Sequence, residues 1–502
     1  MNLIKNRPQA REQAADGVEA HDAVAVNAAH SRELYKKREP IYPKLVHGKF
    51  RLGKWVFMAL ALGVYYILPF LRWDRGAGAP DQAVLVDFAN ARFYFFFIEI
   101  WPQEVYYITG LLIVSALALF LVTSLFGRVW CGYACPQTVW TDLFIAVERM
   151  FEGDRNKRIM LDRAEWSFNK AWRKIGKHAV WLLIAAATGG AWILYFHDAF
   201  AVVNNFVTGQ AALTSYIFFG VLTFTTYVLA GTMREQVCTY MCPWPRIQGA
   251  LIDKEALSVT YRVDRGEPRG RHKKGESWEG RGDCIDCKAC VAACPMGIDI
   301  RDGDQLECIN CALCIDACDD VMEKTGKPRG LIDYVTLQDE AIETEGAPAV
   351  PLIKRILRPR TILYTVLWAA IGVGMVVSLF MRESIDLSVA RDRNPLFVTL
   401  ADGSIRNGYT IKVSNQNQNP HEFVLSFRSE LPLSANLQGE EALRFTVDAD
   451  KLRTLRLFLT TLPFARPTEQ ADVEVWIEDQ QTRERVSVGT VFLAPEPEAW
   501  AQ

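Results

Sequence analysis

Residues 284–295 read CIDCKACVAACP and residues 308–319 read CINCALCIDACD, so eight cysteines fall twice at the same spacing. Cysteines two, two and then three residues apart, given twice, are the ligand pattern of two iron–sulfur clusters. In the two-cluster arrangement, the first three thiolates of one run share a cluster with the last thiolate of the other. This assigns Cys284, Cys287, Cys290 and Cys318 to one [4Fe-4S] cluster, and Cys308, Cys311, Cys314 and Cys294 to a second. Structural zinc also binds thiolates two residues apart, but four cysteines per run at this repeat suit the cuboidal cluster better. Pro295 follows Cys294 whereas Asp319 follows Cys318, which leaves ligation intact and the local turn open.

Around this double run lie 502 residues, enough for two to four domains, with a formal net charge of −2 that argues against a nucleic-acid binder. The apolar residues concentrate in blocks too long for a soluble core. That makes the chain a membrane protein with spans expected near Trp55–Leu71, Val105–Phe126, Ala179–Phe196, Ala211–Gly231 and Thr361–Met381. The aromatic stretch Phe93–Trp101, with Glu99, is too short to span and reads as an interfacial or re-entrant segment. Residues 1–45 are polar and alanine-rich and lack the apolar core of a signal peptide; the first thirty are expected to be a disordered cytoplasmic tail.

Lysine and arginine gather next to the spans on one side. Lys44, Lys49, Arg51 and Lys54 precede the first span. Arg149, Arg155, Lys157, Arg158, Arg163, Lys170, Arg173, Lys174 and Lys177 lie between the second and third, and Lys354, Arg355, Arg358 and Arg360 precede the fifth. The loop 197–210 has neither residue type. Five spans then place the cysteine-rich loop in the cytoplasm and the last 120 or so residues outside. All 12 cysteines belong to paired or fourfold motifs, which speaks for metal or redox chemistry on a reducing side rather than disulfides.

The remaining four cysteines occur at the inner ends of the second and fourth spans, in RVWCGYACPQTVW and EQVCTYMCPWPRIQG. On a helix, positions four apart share a face, so Cys131 with Cys135, and Cys238 with Cys242, are expected to chelate together, Pro136 and Pro243 marking where each helix stops or bends. Two such pairs on neighbouring helices would assemble a four-thiolate site. Soft sulfur donors favour Cu(I), zinc or a further iron–sulfur cluster, Met241 is a candidate thioether, and the spacing does not choose among the metals. The competing reading is four buried, inert cysteines at helix contacts.

The stretch 262–282, RVDRGEPRGRHKKGESWEGRG, reads as an exposed flexible connection, and 331–350 as an acidic linker. No glycine-rich dinucleotide fingerprint follows a strand, so electrons must come from a separate donor or a membrane quinol. Beyond Met381 about seven β-rich runs, LFVTL to VSVGTVFLA, suggest an antiparallel sandwich of immunoglobulin type without cysteine. His421 reads there as a surface or core residue rather than a metal ligand. The expected architecture is a cytoplasmic tail (1–45), a membrane domain with four transmembrane α-helices and both CxxxCP motifs (46–255), a cytoplasmic two-cluster ferredoxin-like domain (256–350), a fifth transmembrane helix (351–383) and an outer immunoglobulin-like β-sandwich (384–502).

In this order, two CxxxCP motifs on inner span ends, a doubled ferredoxin motif and an outer sandwich, the chain resembles the cytochrome c oxidase accessory proteins known as CcoG, FixG or RdxA. The resemblance implies a protein of the bacterial inner membrane, with a periplasmic C-terminal domain, that reduces Cu(II) to Cu(I) for delivery during assembly of a cbb-type cytochrome c oxidase. It implies copper as substrate, copper chaperones and oxidase assembly factors as partners, and Cys131, Cys135, Cys238 and Cys242 as copper or redox thiols. Two other classes carry related motifs: a quinol dehydrogenase module feeding a periplasmic reductase, and a non-catalytic scaffold or copper chaperone with structural clusters.

Overall fold

Apolar runs in lipid become helices because every backbone polar group must be satisfied within the segment. The computed structural model describes residues 13–14, 18–27, 39–76, 79–272, 276–336, 338–339, 353, 356–382, 385–417, 419–449, 451–463 and 469–495. It divides into one unit of Met1–Leu71 with Gln82–Met375 and a second of Arg72–Asp81 with Val376–Gln502.

The first unit runs through α1 (Lys49–Ile67), a β-meander of β1 (Val84–Asp87), β2 (Arg92–Phe95) and β3 (Ile98–Ile100), then α2 (Tyr106–Phe126), α3 (Val129–Tyr133), α4 (Pro136–Glu152), α5 (Arg155–Arg163), α6 (Phe168–Ile193), α7 (Ala199–Val207) and α8 (Leu213–Thr226). The helical path of α8 continues as a π-helix over Tyr227–Met233, and α9 (Trp244–Leu251) follows. Among the described residues four helical stretches are long and apolar enough to cross a membrane: Lys49–Phe70, Pro102–Phe126, Leu213–Met233 and Pro359–Phe380. Five had been expected. The sequence assigned to the third, Ala179–Phe196, lies mostly in α6, whose apolar part begins only after Lys177 and ends at Ile193, about 24 Å at 1.5 Å per residue against a core of about 30 Å.

The segment 93–101 is strand rather than re-entrant. Its residues fall in β2 and β3, paired antiparallel around a turn, and Glu99 pairs with Arg92 at 3.0 Å while the Arg92 guanidinium lies 3.8 Å from the Trp101 ring centroid.

Two ties hold the cysteine-rich part against the first and last of the four spans. Gly48 offers no side chain to cap α1, and the Asp316 carboxylate, between Cys314 and Cys318, accepts from Phe50 N–H at 3.3 Å and Arg51 N–H at 2.7 Å instead. Arg358 reaches Asp253, Glu255 and the Ser124 carbonyl just before the last span, α13 (Pro359–Phe380). Lys354 and Arg355 lie outside the described residues. Helix α4 carries three buried carboxylates, each paired: Asp142 with Arg51 and Lys54, Glu148 with Arg158, Arg234 and Lys177, and Glu152 with Arg158, Lys174 and Lys177. Burial alone would push the Asp142 carboxyl up, but Lys54 and Arg51 bring it below the usual range.

The cysteine-rich part comprises β4 (Ser258–Tyr261), α10 (Val263–Gly266), α11 (Ala289–Ala293), α12 (Leu313–Lys324) and β5 (Ile332–Val335). Strands β4 and β5 pair antiparallel from Ser258↔Val335 to Tyr261↔Ile332, so the start of the expected acidic linker closes this domain instead. Residues 340–350 of that linker lie outside the described residues. The stretch 262–282 also folds back where a free connection was expected. Gly282 N–H donates to the Pro268 carbonyl at 3.1 Å, Gly270 N–H donates to the Cys284 carbonyl at 3.1 Å, and Lys327 Nζ sits 4.0 Å from the Trp278 ring centroid.

Part of the expected disordered tail is likewise built in. His21 N–H donates to the Cys287 carbonyl at 3.0 Å, Val26 N–H to the Gly297 carbonyl at 2.8 Å and Asn27 Nδ2 to the Met296 carbonyl at 2.7 Å, with Val18 and Ala23 buried. Few apolar residues suffice for this segment because an existing surface supplies the partners.

In the second unit, β6 (Ile385–Arg391), β7 (Val398–Thr399), β8 (Ile405–Asn415), β9 (His421–Ser429), β10 (Leu433–Leu437), β11 (Arg444–Val447), β12 (Lys451–Thr461), β13 (Gln470–Asp479) and β14 (Arg485–Leu493) form two antiparallel sheets. One is ordered β10-β12-β8-β6 with β7 also on β8, the other β11-β9-β13-β14. The period of two is clean on β8, where Ile405, Tyr409, Ile411 and Val413 are fully buried and Lys412 between them is exposed. His421 is a core residue whose Nδ1 bonds Asp479. Burial would raise the Asp479 carboxyl, but the His421 bond and the backbone N–H groups of Gln481 and Thr482 hold it below the usual carboxylate range. A depressed carboxyl stabilises the fold above its unfolded pKa of about 3.9 and loses that contribution as pH falls through its folded value. Asp479→Ala is therefore expected to cost this unit about 1–3 kcal/mol at neutral pH by stranding a buried donor. The difference from the unsubstituted chain should shrink below pH 4, as read by pulse proteolysis of the detergent-solubilised full chain.

Candidate redox and metal centre

The two cysteine runs share one backbone course. Asp286 and Lys288 in the first, and Asn310 and Ala312 in the second, have positive φ at matching positions. Asp and Asn accept the left-handed region readily, whereas Lys and Ala do so at a cost that clusters at functional sites. Each pair of left-handed residues turns the chain into a helix, α11 after Lys288 and α12 after Ala312. The runs then diverge: α11 ends at Ala293 with extended Cys294 before Pro295, while α12 carries Cys318 inside the helix to Lys324. The absent second proline is thus matched by a helix that does not stop, with Asp319 accepting from Gly330 N–H at 3.0 Å.

One cavity is lined by Cys284, Cys287, Cys290 and Cys318 together with Tyr261 and Arg301. A second is lined by Cys294, Cys308, Cys311 and Cys314, with Cys290 at its edge and Met296, Ile298 and Ile309 around it. Each run thus lends its last cysteine to the cavity of the other. Backbone N–H groups point at these sulfurs, Asn310 toward Cys308, and Met296, Gly297 and Ile298 toward Cys294. Burial nevertheless pushes the Cys294 thiol up to about 11 and Cys308 up to about 12, and lifts Cys314 and Cys318 well above the ordinary range. Sulfurs so buried shed their protons when a metal takes their place. A tetrahedral zinc thiolate, with 2.3 Å bonds, draws sulfurs to about 3.8 Å of one another. Among the described residues no three Cys, His, Asp or Glu converge on a single ion. Four cysteines ringing an apolar cavity fit the larger cuboidal cluster.

The membrane-end cysteines assemble differently from the shared helix face expected for them. Cys131 lies in the short α3, but Cys135 is extended and caps α4, whose first residue is Pro136. Cys238 sits in a π-helical turn, Val237–Met241, and Cys242 is extended before Pro243 caps α9. Both prolines therefore begin a helix, where a missing N–H costs nothing, rather than only ending one. The motifs are tied to each other across 107 residues of chain: Gln137 Nε2 donates to the Leu229 and Arg234 carbonyls at 2.8 and 3.2 Å, and Cys131 Sγ donates to Gln248 Oε1 at 2.9 Å. Cys238 feels the charge of Cys131, Cys135 and Cys242, and Cys131 that of Cys135 and Cys242. Burial pushes Cys131 up to about 11 and Cys238 up to about 12, opposed in both by Arg128. Met241, the candidate thioether, is 56% exposed.

This group abuts the second cavity. A Cβ on Gly132 would stand 2.6 Å from the Ile309 carbonyl oxygen and 3.0 Å from Cys311 Cα, so α3 lies directly on the second cysteine loop. Tyr133 Oη donates to the Cys311 carbonyl at 3.3 Å, and Tyr334 Oη donates to the Asn310 carbonyl. Arg128, Gly132, Gln137, Gln248 and Arg301 were not among the residues singled out from sequence, since none carries a motif and each matters through what it touches.

Comparison with known proteins fits this geometry. Residues 233–337 match the family model of a 4Fe-4S dicluster domain, residues 108–152 that of a 4Fe-4S binding domain, and residues 375–495 that of the IG-like fold at the C-terminus of FixG. Protein RdxB of Cereibacter sphaeroides is 53% identical over 91% of this chain and 97% of its own length, and Protein RdxA of the same organism 51% identical over 92% and 98%. Nitrogen fixation protein FixG of Rhizobium meliloti is 49% identical over 92% of this chain and 94% of its own. The chain belongs to the FixG/RdxA family. A crystal structure of a FixG-related protein from Vibrio parahaemolyticus aligns with 22% of this chain and 97% of its own at 22% identity, with a TM-score of 0.20. As a FixG/RdxA protein with 4Fe-4S domains and apolar helices, the chain is a membrane-bound iron–sulfur oxidoreductase.

The crossed lining of the cavities has a measurable consequence. Replacing Cys294 and Cys308 together by serine is expected to remove no more iron than either change alone, about four atoms per chain. Replacing Cys294 and Cys284 together should remove about eight, read by elemental analysis of the anaerobically purified chain.

Proposed function

We propose that this protein reduces Cu(II) to Cu(I) at the cytoplasmic end of its membrane helices, supplying copper during assembly of a cbb-type cytochrome c oxidase. The observation that supports the reading is the seat of α3, which carries Cys131, on the second cysteine loop, whose Cys308, Cys311 and Cys314 line the second cavity. When bound at the eight cysteines, the two clusters supply single electrons. Cys131, Cys135, Cys238 and Cys242 receive the copper ion, and thiolates favour Cu(I) over Cu(II), so the site stabilises the product of a one-electron reduction. Each Cu(II) takes one electron and releases none of its charge elsewhere, and the electron comes from a separate donor. Copper chaperones and oxidase assembly factors are the partners this chemistry requires downstream.

The orientation proposed with it has five spans, with α6 as the additional one. Leu182 and Leu183 on α6 are 53% and 68% exposed, as lipid-facing residues are. A Cβ on Gly189 would stand 3.0 Å from the Phe219 carbonyl oxygen, the close approach of a helix pair packed through small residues. The cysteine-rich domain then faces the cytoplasm of the inner membrane, and the sandwich the periplasm.

Purified anaerobic protein with its clusters reduced should reduce Cu(II), followed by a Cu(I)-specific chromophore. Cys131→Ser with Cys135→Ser should lower the rate at least 100-fold while iron stays at about eight per chain. Undiminished reduction by that variant would place copper elsewhere. Rapid oxidation of wild-type clusters by a quinone analogue, with no response to copper, would assign the chain to quinol chemistry instead.

A further inference from the structure

Each cysteine cavity has one buried arginine beside it, and the two are balanced differently. Arg301 lines the first cavity and is held by Asp286 and Asp299, both at 2.7 Å. Arg128 is 4% exposed and, among the described residues, has no carboxylate partner. Its Nη1 donates to the Leu306 carbonyl, and its Nε is buried with no hydrogen-bond partner among the described residues. A guanidinium cannot shed its charge, and burying it without a counter-charge is strongly disfavoured. The fold must therefore provide an anion at this place.

The surroundings identify that anion. Leu306 lies two residues before Cys308, so the Nη1 bond fixes the guanidinium at the entrance to the second cysteine loop. Cys131 is three residues further along the chain and within hydrogen-bonding reach of Arg128, and Cys131, Cys238 and Cys308 all feel its charge. The acidic groups that the structure sets within reach of this charge include thiols of the membrane end, Cys131 and Cys238, and of the second cavity, Cys308. We propose that Arg128 is the shared counter-cation of the membrane-end thiolates and of the second cluster's ligands, a positioning residue that holds both at a potential where an electron can move between them. Adding an electron to a thiolate-ligated cluster increases its negative charge, and a fixed cation nearby favours that more negative form. Arg301 also acts on Cys287 and Cys290, but it is paired with Asp286 and Asp299, and Asp299 opposes it at Cys290. The inference rests on the reading that Cys294, Cys308, Cys311 and Cys314 ligate a cluster.

The test is an anaerobic redox titration of the full chain in detergent, followed by electron paramagnetic resonance, for the wild type, Arg128→Gln and Arg128→Lys. The glutamine variant should move the midpoint of one cluster to more negative potential and leave the other in place; the lysine variant, with the charge retained, should lie closer to wild type. Loss of about four irons in the glutamine variant alone, with retention in the lysine variant, supports the same role, since charge and not shape then holds the anionic group. Unchanged midpoints in Arg128→Gln, or equal shifts of both clusters, overturn the proposal, as does loss of iron in both variants alike, which would mark a folding role. A wild-type protein without cluster signals would instead overturn the cluster reading itself.

Discussion

The contact on which the arrangement depends is between a residue without a side chain and a backbone. Gly132 lets α3 rest on Ile309 and Cys311 with no atom to spare, and that seat joins the apolar helices to the cysteine-rich part within one unit. Neighbouring features reinforce the seat. Asp316 caps α1 from within the helix that carries Cys314 and Cys318, the Phe50 and Tyr334 rings meet at 5.5 Å, and Arg358 ties the base of α13 to the carbonyl end of α2. The membrane helices therefore do more than anchor; the segments at their ends pack against the second cysteine loop.

Helix α4 is the second structural commitment. Its buried Asp142, Glu148 and Glu152 and their Arg and Lys partners come from α1, α5, α6 and the turn after the π-helix. Buried pairs return little net stability over apolar packing, but removing one partner leaves a charge the interior cannot accommodate. Such a network tolerates one arrangement of its elements and penalises others. It fixes the start of α4, hence Cys135, against the chain leading to Cys238.

Much of this was legible from the chain alone where chemistry imposes spacing. The doubled cysteine runs announced their pairing because a cluster demands thiolates at set intervals, and the outer strands announced themselves by strict alternation along β8, β9 and β12. The places where reading fell short share a cause, which is that tertiary partners decide them. The Cys131 and Cys135 spacing suited a helical turn, but Pro136 starts a new helix and leaves Cys135 extended. The stretch 93–101 looked like a membrane approach by its aromatics, and its pairing with the strand Val84–Asp87 makes it part of a meander instead. Residues 262–282 are glycine-rich, and two of those glycines, Gly266 and Gly282, serve a close backbone approach to each other. Arg128 has no local signature at all; its meaning lies in its burial beside Leu306 with no ion-pair partner among the described residues.

The N-terminal strap has a consequence for the order in which the molecule is completed. Residues 18–27 leave the ribosome well before the carbonyls that receive them, on Cys287, Met296 and Gly297, which follow about 270 residues later, and at about 5–20 residues per second this is tens of seconds of synthesis. During that interval the strap has nothing to bind, and the membrane helices encoded between must already be in place. It closes over the first cysteine run only after that run has taken its final course. A segment made before the domain it covers is thus among the last to become ordered, so its protection from protease would report that the cysteine-rich domain is finished.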